Sequence, residues 1–318
     1  MRILLWHVHG SWTTAFVQGD HEYLVPFTPD RGPDGLGRAR TWHWPASVVE
    51  VTPEQAAAAD VDVVVLQRPH ELAGLAKAWL GGREPGQDVP AVYLEHTCPE
   101  GRIDEMRHPA ADRPELTLVH VTHFNALFWD AGATPTRVIE HGIVDPGYRY
   151  TGALPHAAVV VNEPSRRGRV TGTDLLSRFA HTVPLDVFGM GASQLAGPLI
   201  ATWDDLPQDR LHDEMPRRRV YLHPLRWTSL GLSLLEAMHL GMPVVALATT
   251  EVAAAVPPEA GVVSNCLDEL EEGLQRLIAD PEEATVRGKA AREAALSRYG
   301  LAPFLAEWDA LLEEVAAR

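Results

Sequence analysis

Runs of β-branched residues recur along this chain, each followed by a stretch with helical spacing, and that alternation limits the fold more than any other feature. Residues 61–66 (VDVVVL) form a run expected of a strand covered on both faces. Residues 2–8, 89–94, 116–121 and 137–139 predict further strands in the first half, with helices over 72–80 and 125–131. The second half keeps the rhythm. Strands are expected at 157–161, 185–188, 219–222, 243–247 and 262–263, and helices over 173–181, 231–240, 267–279, 282–298 and 303–316. Strands alternating with helices define parallel sheets made of βαβ units. Residues 18–53 are broken by Pro26, Pro29, Gly32, Pro33, Gly35 and Gly37, and predict irregular backbone or a short strand pair.

At 318 residues the chain is long enough for two domains of ~150 residues, each with its own core. The expected division is a Rossmann-like domain over 1–150, a second over 151–302, and a C-terminal helix at 303–318 that packs back toward the first. The fold class is therefore α/β, two Rossmann-like domains whose parallel sheets face a cleft. Ligands of such sheets bind beyond the carboxyl ends of the strands, so the residues just after each strand are the ones to examine.

A formal charge of −16 disfavours nucleic acid or anionic membrane as the main partner, since both require an excess of Lys and Arg. No apolar run reaches the ~18 residues of a membrane span. The chain opens directly into a strand, and Cys98 and Cys266 are its only cysteines, so a cytoplasmic location is expected. Oligomeric state is not legible.

Residues 220–247 (VYLHPLRWTSLGLSLLEAMHLGMPVVAL) carry the most information. A strand ends in His223-Pro224, and a helix starts near Gly231, so the N–H groups around Ser229, Leu230, Gly231 and Leu232 offer an anion site. Glu236 lies in an almost wholly apolar helix. Burying an unpartnered carboxylate costs several kcal/mol, so Glu236 requires either a protein partner or the hydroxyls of a ligand. Residues 162–176 place Arg166, Arg167 and Arg169 just after a strand, in an otherwise acidic protein. Guanidinium groups match phosphate oxygens bidentately; a solvated surface cluster is the alternative.

In this stretch the sequence resembles glycosyltransferase family 4, the retaining GT-B enzymes. Their pattern is a strand ending in Pro, then Glu-Gly-Phe-Gly-Leu, Leu-Glu-Ala-Met and Gly-x-Pro-Val-Val-Ala. This chain has Pro224, Thr228-Ser229-Leu230-Gly231-Leu232, Leu235-Glu236-Ala237-Met238 and Gly241-Met242-Pro243-Val244-Val245-Ala246 in register. The resemblance implies that Glu236 grips the donor ribose. It also exposes two departures: Thr228 stands where the family has its first glutamate, and Thr171 where it has a phosphate-binding lysine, with Arg166 and Arg169 expected to compensate. Threonine can hydrogen-bond a sugar hydroxyl but cannot act as a base near neutral pH. Motif agreement covers nearly all of 156–312; over 1–155 the resemblance rests on topology and short segments.

Further positions follow from the resemblance. His96, after the strand 89–94, matches the histidine beside the donor sugar, and Glu95 is the weaker neighbour. Gly10 and Ser11 approach the donor by backbone, with His9 and Trp12 on the acceptor side. His141 replaces the family's Asn in Val-Ile-Pro-Asn-Gly, either as a substrate-facing change or as an exchange of cap. Gly189 and Gly191 stand near the base. His7 and His9 share a face but have no third ligand at a recognisable spacing, so no metal is expected. Trp42, Trp44 and Trp129 are read as packing by default. Thus His96, Thr228 and Glu236 are the catalytic candidates. The implied reaction moves a sugar from a nucleoside-diphosphate-sugar to a small-molecule or glycan hydroxyl, with no cofactor beyond that co-substrate. A nucleotide-sugar epimerase or hydrolase, and a catalytically silent nucleotide-sugar-binding protein, are the rival readings.

Overall fold

Every strand pairing within the two sheets of the structure, a computed structural model that describes residues 1–318, is parallel. The chain packs as two units, Met1–Val144 with Leu301–Arg318, and Asp145–Gly300.

The first unit contains β1 (Arg2–Leu5), β2 (Glu22–Pro26), β3 (Val48–Val51), β4 (Val63–Leu66), β5 (Ala91–Glu95), β6 (Thr117–His120) and β7 (Thr136–Val138). They lie in the order β3-β2-β1-β4-β5-β6-β7. The second unit contains β8 (Leu154–Val160), β9 (Leu185–Gly189), β10 (Ile200–Asp204), β11 (Arg218–His223), β12 (Val244–Leu247) and β13 (Gly261–Ser264), in the order β10-β9-β8-β11-β12-β13. Both sheets start in the middle, run outward, then reverse. The reversal falls between β1 and β4 in one unit and between β8 and β11 in the other. Loops leaving neighbouring strands diverge at such a point and leave a crevice at the carboxyl edge.

The central strands explain why the chain folds this way. All residues of β4, β6 and β12 are buried, as strands with helices on both faces require. Leu4, Val64, Leu66, Tyr93 and Leu118 belong to the core of the first unit, and Val159, Val187, Phe179, Leu222 and Leu274 to that of the second. Full burial of one such side chain stabilises by about 1.5–3 kcal/mol. The last helix, Leu301–Ala316, joins the first unit. Its Trp308 meets Trp12 and Phe16 edge-on, with ring centroids 5.6 and 5.0 Å apart.

Residues 18–53 hold a strand pair, β2 and β3, one of the two expectations for that stretch. β10 escapes the sequence reading: it ends its sheet and carries exposed residues instead of a continuous apolar run. The helix expected over 72–80 is also broken. Gly74 has φ +145°, outside the helical region, and regular α-helix is confined to Ala76–Trp79. No helix is long and apolar enough to cross a membrane.

Candidate active site

In the second unit, the loops after β8, β9 and β10 are tied together at the carboxyl edge of the sheet. Gly189 closes β9 with φ +127°, where a Cβ would stand 2.2 Å from the Val161 carbonyl oxygen. Just beyond, the Glu163 N–H donates to the Met190 carbonyl at 2.7 Å and the Met190 N–H to Asn162 Oδ1 at 2.9 Å. Asp204, ending β10, accepts from the Gly191 N–H at 2.7 Å and the Ser193 hydroxyl at 2.6 Å. These bonds hold open a cavity of about 570 Å³ lined by Glu163, Ser165, Arg166, Met190, Gly191 and Gln194. Glu163 itself has φ +53°, a left-handed conformation that costs a residue with a Cβ about 1–2 kcal/mol. Such strain clusters at functional sites.

The three arginines differ in their partners. Arg166 donates from Nε to Glu163 Oε1 at 2.9 Å and from Nη2 to the other carboxylate oxygen. Arg169 reaches Asp174 Oδ2 at 3.0 Å, an acid that Arg226 also grips, with Nη2 3.0 Å from Oδ2. Arg167 makes no ion pair and is half-buried; burial and the adjacent Arg166 both push its pKa down. Thr171, at the lysine position of the family pattern, is 1% exposed. Its hydroxyl donates to the Gly168 carbonyl at 3.2 Å and lies 3.0 Å from Thr173 Oγ1, which braces the loop from inside.

The helix Leu232–Leu240 follows β11 and starts at Gly231 with no side-chain cap, so its leading N–H groups lack a capping oxygen. Gly231 is required by proximity: a Cβ there would be 2.5 Å from His223 Cε1. Burial holds that histidine neutral, its pKa lowered to about 3. Ser229 and Leu230 are buried before the helix, whereas Thr228 and Leu232 are half-buried.

Glu236 is 5% exposed. The sequence left its partner open between protein and ligand, and the structure supplies protein partners. Gln208 Nε2 donates to Oε2 at 3.0 Å, and His212 Nε2 lies 3.4 Å from the same oxygen. Both side chains come from one face of the helix Gln208–Glu214. Sequence reasoning missed this pair because β10, which leads into that helix, was itself unread.

In the first unit, His9, His96 and His141 come together. The rings of His9 and His96 are 4.0 Å apart, and those of His96 and His141 lie nearly parallel at 6.2 Å. Burial first, then the other imidazoles, holds His96 well below the usual histidine range, and His141 is lowered to about 3. His96 and His141 are therefore hydrogen-bonding groups rather than positive charges. Gly10 and Ser11 open the helix Gly10–Phe16, and the Trp42 indole packs over Gly10, 3.0 Å from where a Cβ would stand.

Two expectations are corrected. Trp12 does not face an acceptor: it is fully buried among Phe16, Phe304 and Trp308, with only its ring edge toward His96. The helix Gly10–Phe16 turns this side chain into the core. His7 and His9 also part company. His7 donates from Nδ1 to the Gly37 carbonyl at 3.0 Å and packs on Trp44, away from the His9–His96 contact. Glu95 has a structural role, accepting from the Thr97 N–H at 2.5 Å with its second oxygen 2.9 Å from His108 Nε2. Trp129 donates to the Thr97 carbonyl at 2.9 Å.

Two Rossmann-like units with these strand orders define a GT-B fold. Residues 204–294, under a third of the chain but containing β11, the Glu236 helix and β12, match the family Glycosyl transferases group 1. The sucrose-phosphate synthase of Thermosynechococcus elongatus is similar across 100% of this chain and 99% of its own, with a TM-score of 0.73 and 15% identity. The Anabaena HepE complex with UDP and glucose follows at a TM-score of 0.70 and 14% identity, over 98% of this chain and 99% of that one. AviGT4, a glycosyltransferase involved in avilamycin A biosynthesis, gives 0.63 and 16% over 100% and 98%. At such identities the likeness is one of fold. No curated protein matches the chain.

Proposed function

We propose that this protein is a glycosyltransferase whose second unit holds a nucleoside-diphosphate-sugar and whose product is a glycosylated small molecule or glycan, formed with retention at the anomeric carbon. One observation carries the reading. The segment that matches Glycosyl transferases group 1 contains a buried acid on a helix that starts, uncapped, at the carboxyl edge of a Rossmann-like sheet. In this reading Glu236 accepts from the ribose hydroxyls, which join or displace Gln208 and His212. The diphosphate lies against the leading N–H groups of the helix Leu232–Leu240, with the arginines of residues 166–169 neutralising it. Stabilising that leaving group is the main catalytic load, and fixed donors supply it without a cofactor beyond the donor. Among the arginines, Arg167 is the half-buried one whose charge the protein leaves unpaired. His96 is the first unit's contact for the transferred sugar, and Thr228 a hydroxyl in place of the family's glutamate. The cavity beside Met190 and Gly191 takes the base. A cytoplasmic location goes with this reading and suits the two free cysteines.

The rival of a silent nucleotide-sugar-binding protein draws on Thr228 and on the inward-facing Thr171. One set of measurements separates the two. In a thermal-shift panel of UDP-, GDP-, ADP- and dTDP-sugars, a ligand at 100 times its Kd stabilises by ~2.7 kcal/mol. Nucleoside diphosphate release is then followed with mixed acceptors and without any. Acceptor-dependent release supports transfer, acceptor-independent release a hydrolase, and binding with no release the silent reading.

A further inference from the structure

Glu163 and Gln194, both lining the cavity beside β9, meet at Gly191. A Cβ on that glycine would stand 3.9 Å from Glu163 Cα and 3.6 Å from Gln194 Nε2. The main-chain N–H groups of Met190 and Gly191 are already committed to Asn162 and Asp204, so side chains must read whatever the cavity holds. Glu163 is the anchored one, with its N–H on the Met190 carbonyl and its strained φ of +53°. Arg166 grips its carboxylate, Nε on Oε1 and Nη2 on Oε2, so one planar N–C–N fork donates two parallel N–H groups to the two oxygens. Nothing buries that pair. Its side chains are 69% and 47% exposed, so water screens it and a ligand replaces the arginine at little cost. In Gln194, Oε1 accepts from the Ser165 hydroxyl, which leaves Nε2 to donate. The cavity thus offers two acceptor oxygens and one N–H donor, with Met190 as an apolar wall.

The fork that Arg166 presents is also the fork of guanine. N1–H and N2–H of that base hang on the same N–C–N arrangement, with O6 beside them as an acceptor. Uracil and thymine present a single N–H between two carbonyls, and adenine an amino group beside a ring nitrogen that only accepts. Each of these turns a lone pair toward the second carboxylate oxygen, where guanine turns an N–H. We infer that the cavity selects guanine, with Glu163 taking N1–H and N2–H in place of Arg166 and Gln194 Nε2 donating to O6. The inference rests on the glycosyltransferase reading and names the donor class for the same site, a GDP-sugar.

The test is isothermal titration of the wild-type protein with GDP, IDP, UDP, ADP and dTDP. GDP is expected to bind tightest, by roughly 5- to 150-fold over UDP, ADP and dTDP, the worth of one good bidentate contact to a base. IDP, in which hydrogen replaces the N2 amino group, is expected to bind about tenfold more weakly than GDP. Glu163→Gln keeps the shape but turns one acceptor into a donor, and is expected to close the gap between GDP and IDP. Arg166→Ala leaves the carboxylate in place, so the preference for GDP is expected to persist even if all the diphosphates bind more weakly. UDP, ADP or dTDP binding as tightly as GDP overturns the inference, and the wild-type protein alone decides this if a variant fails to fold. A gap between GDP and IDP that survives Glu163→Gln, or vanishes in Arg166→Ala, overturns it as well. Those results leave the glycosyltransferase reading standing. If none of the diphosphates binds, that reading falls and the guanine assignment falls with it.

Discussion

Gln208 Nε2 lies 3.0 Å from Glu236 Oε2, so the acid buried in the helix Leu232–Leu240 is held by an amide 28 residues earlier in the chain. The pair has a direct consequence for ligand binding. Glu236→Ala is expected to weaken nucleoside diphosphate binding by about 10- to 100-fold, since hydrogen bonds to a charged group contribute about 1.5–3 kcal/mol. Gln208→Ala is expected to cost less, because the carboxylate keeps His212 and any ribose hydroxyls. Isothermal titration with each variant checks the order.

Arg167 and Arg169 should separate on the same instrument. Arg169 is already paired with Asp174, and Arg226 holds that acid as well, so Arg169→Ala is expected to change diphosphate affinity by less than about threefold. Arg167→Ala removes the unpaired guanidinium and is expected to weaken a diphosphate by about tenfold while leaving the free nucleoside unaffected. Equal losses for diphosphate and nucleoside would place Arg167 away from the phosphates.

Edge strands and cross-element pairs mark where the sequence stopped being legible. β4, β6 and β12 were readable because both faces are buried and, His120 and Thr117 apart, every position is apolar. β10 was not, because it ends its sheet and keeps Thr202 and Trp203 partly exposed. Glu236 could be singled out, since an acid in an apolar helix violates its local pattern. Gln208 and Gln194 could not: each is an ordinary polar residue in sequence and acquires meaning only through a partner on another element. Trp12 shows the opposite case: the resemblance put it on the acceptor side, whereas its indole is buried in the core.

Acid should destabilise this protein through its buried histidines. His141 and His223 are lowered to about 3 and His120 to about 4, in each case first by burial. Unfolded, all three titrate near 6.5, so between that value and their folded pKa the unfolded chain binds more protons. Stability is therefore full above pH ~6.5 and falls as pH drops toward 4, by on the order of 2 kcal/mol per histidine at pH 5. Neither ring nitrogen of His120 has a hydrogen-bond partner. In urea unfolding at pH 7 and 5, His120→Leu is expected to shrink the difference between the two by ~2 kcal/mol. An undiminished difference would mean that His120 does not titrate as described.

Gly231→Ala probes the start of the Glu236 helix. Its Cβ would meet the His223 ring at 2.5 Å, and overpacking of this kind costs about 1–3 kcal/mol. The expected result is lower stability in urea unfolding, with part of the loss recovered when His223→Ala is added, a coupling that a double-mutant cycle reads directly. Additive losses would show that the two residues do not compete for space.

The most direct measurement is a crystal structure with a nucleoside diphosphate bound, using whichever nucleotide gives the largest thermal shift. The ribose hydroxyls are expected within hydrogen-bonding distance of Glu236, and the phosphates against the first turn of the helix Leu232–Leu240. A nucleotide bound elsewhere, with Glu236 still held by protein side chains such as Gln208 and His212, would contradict the account.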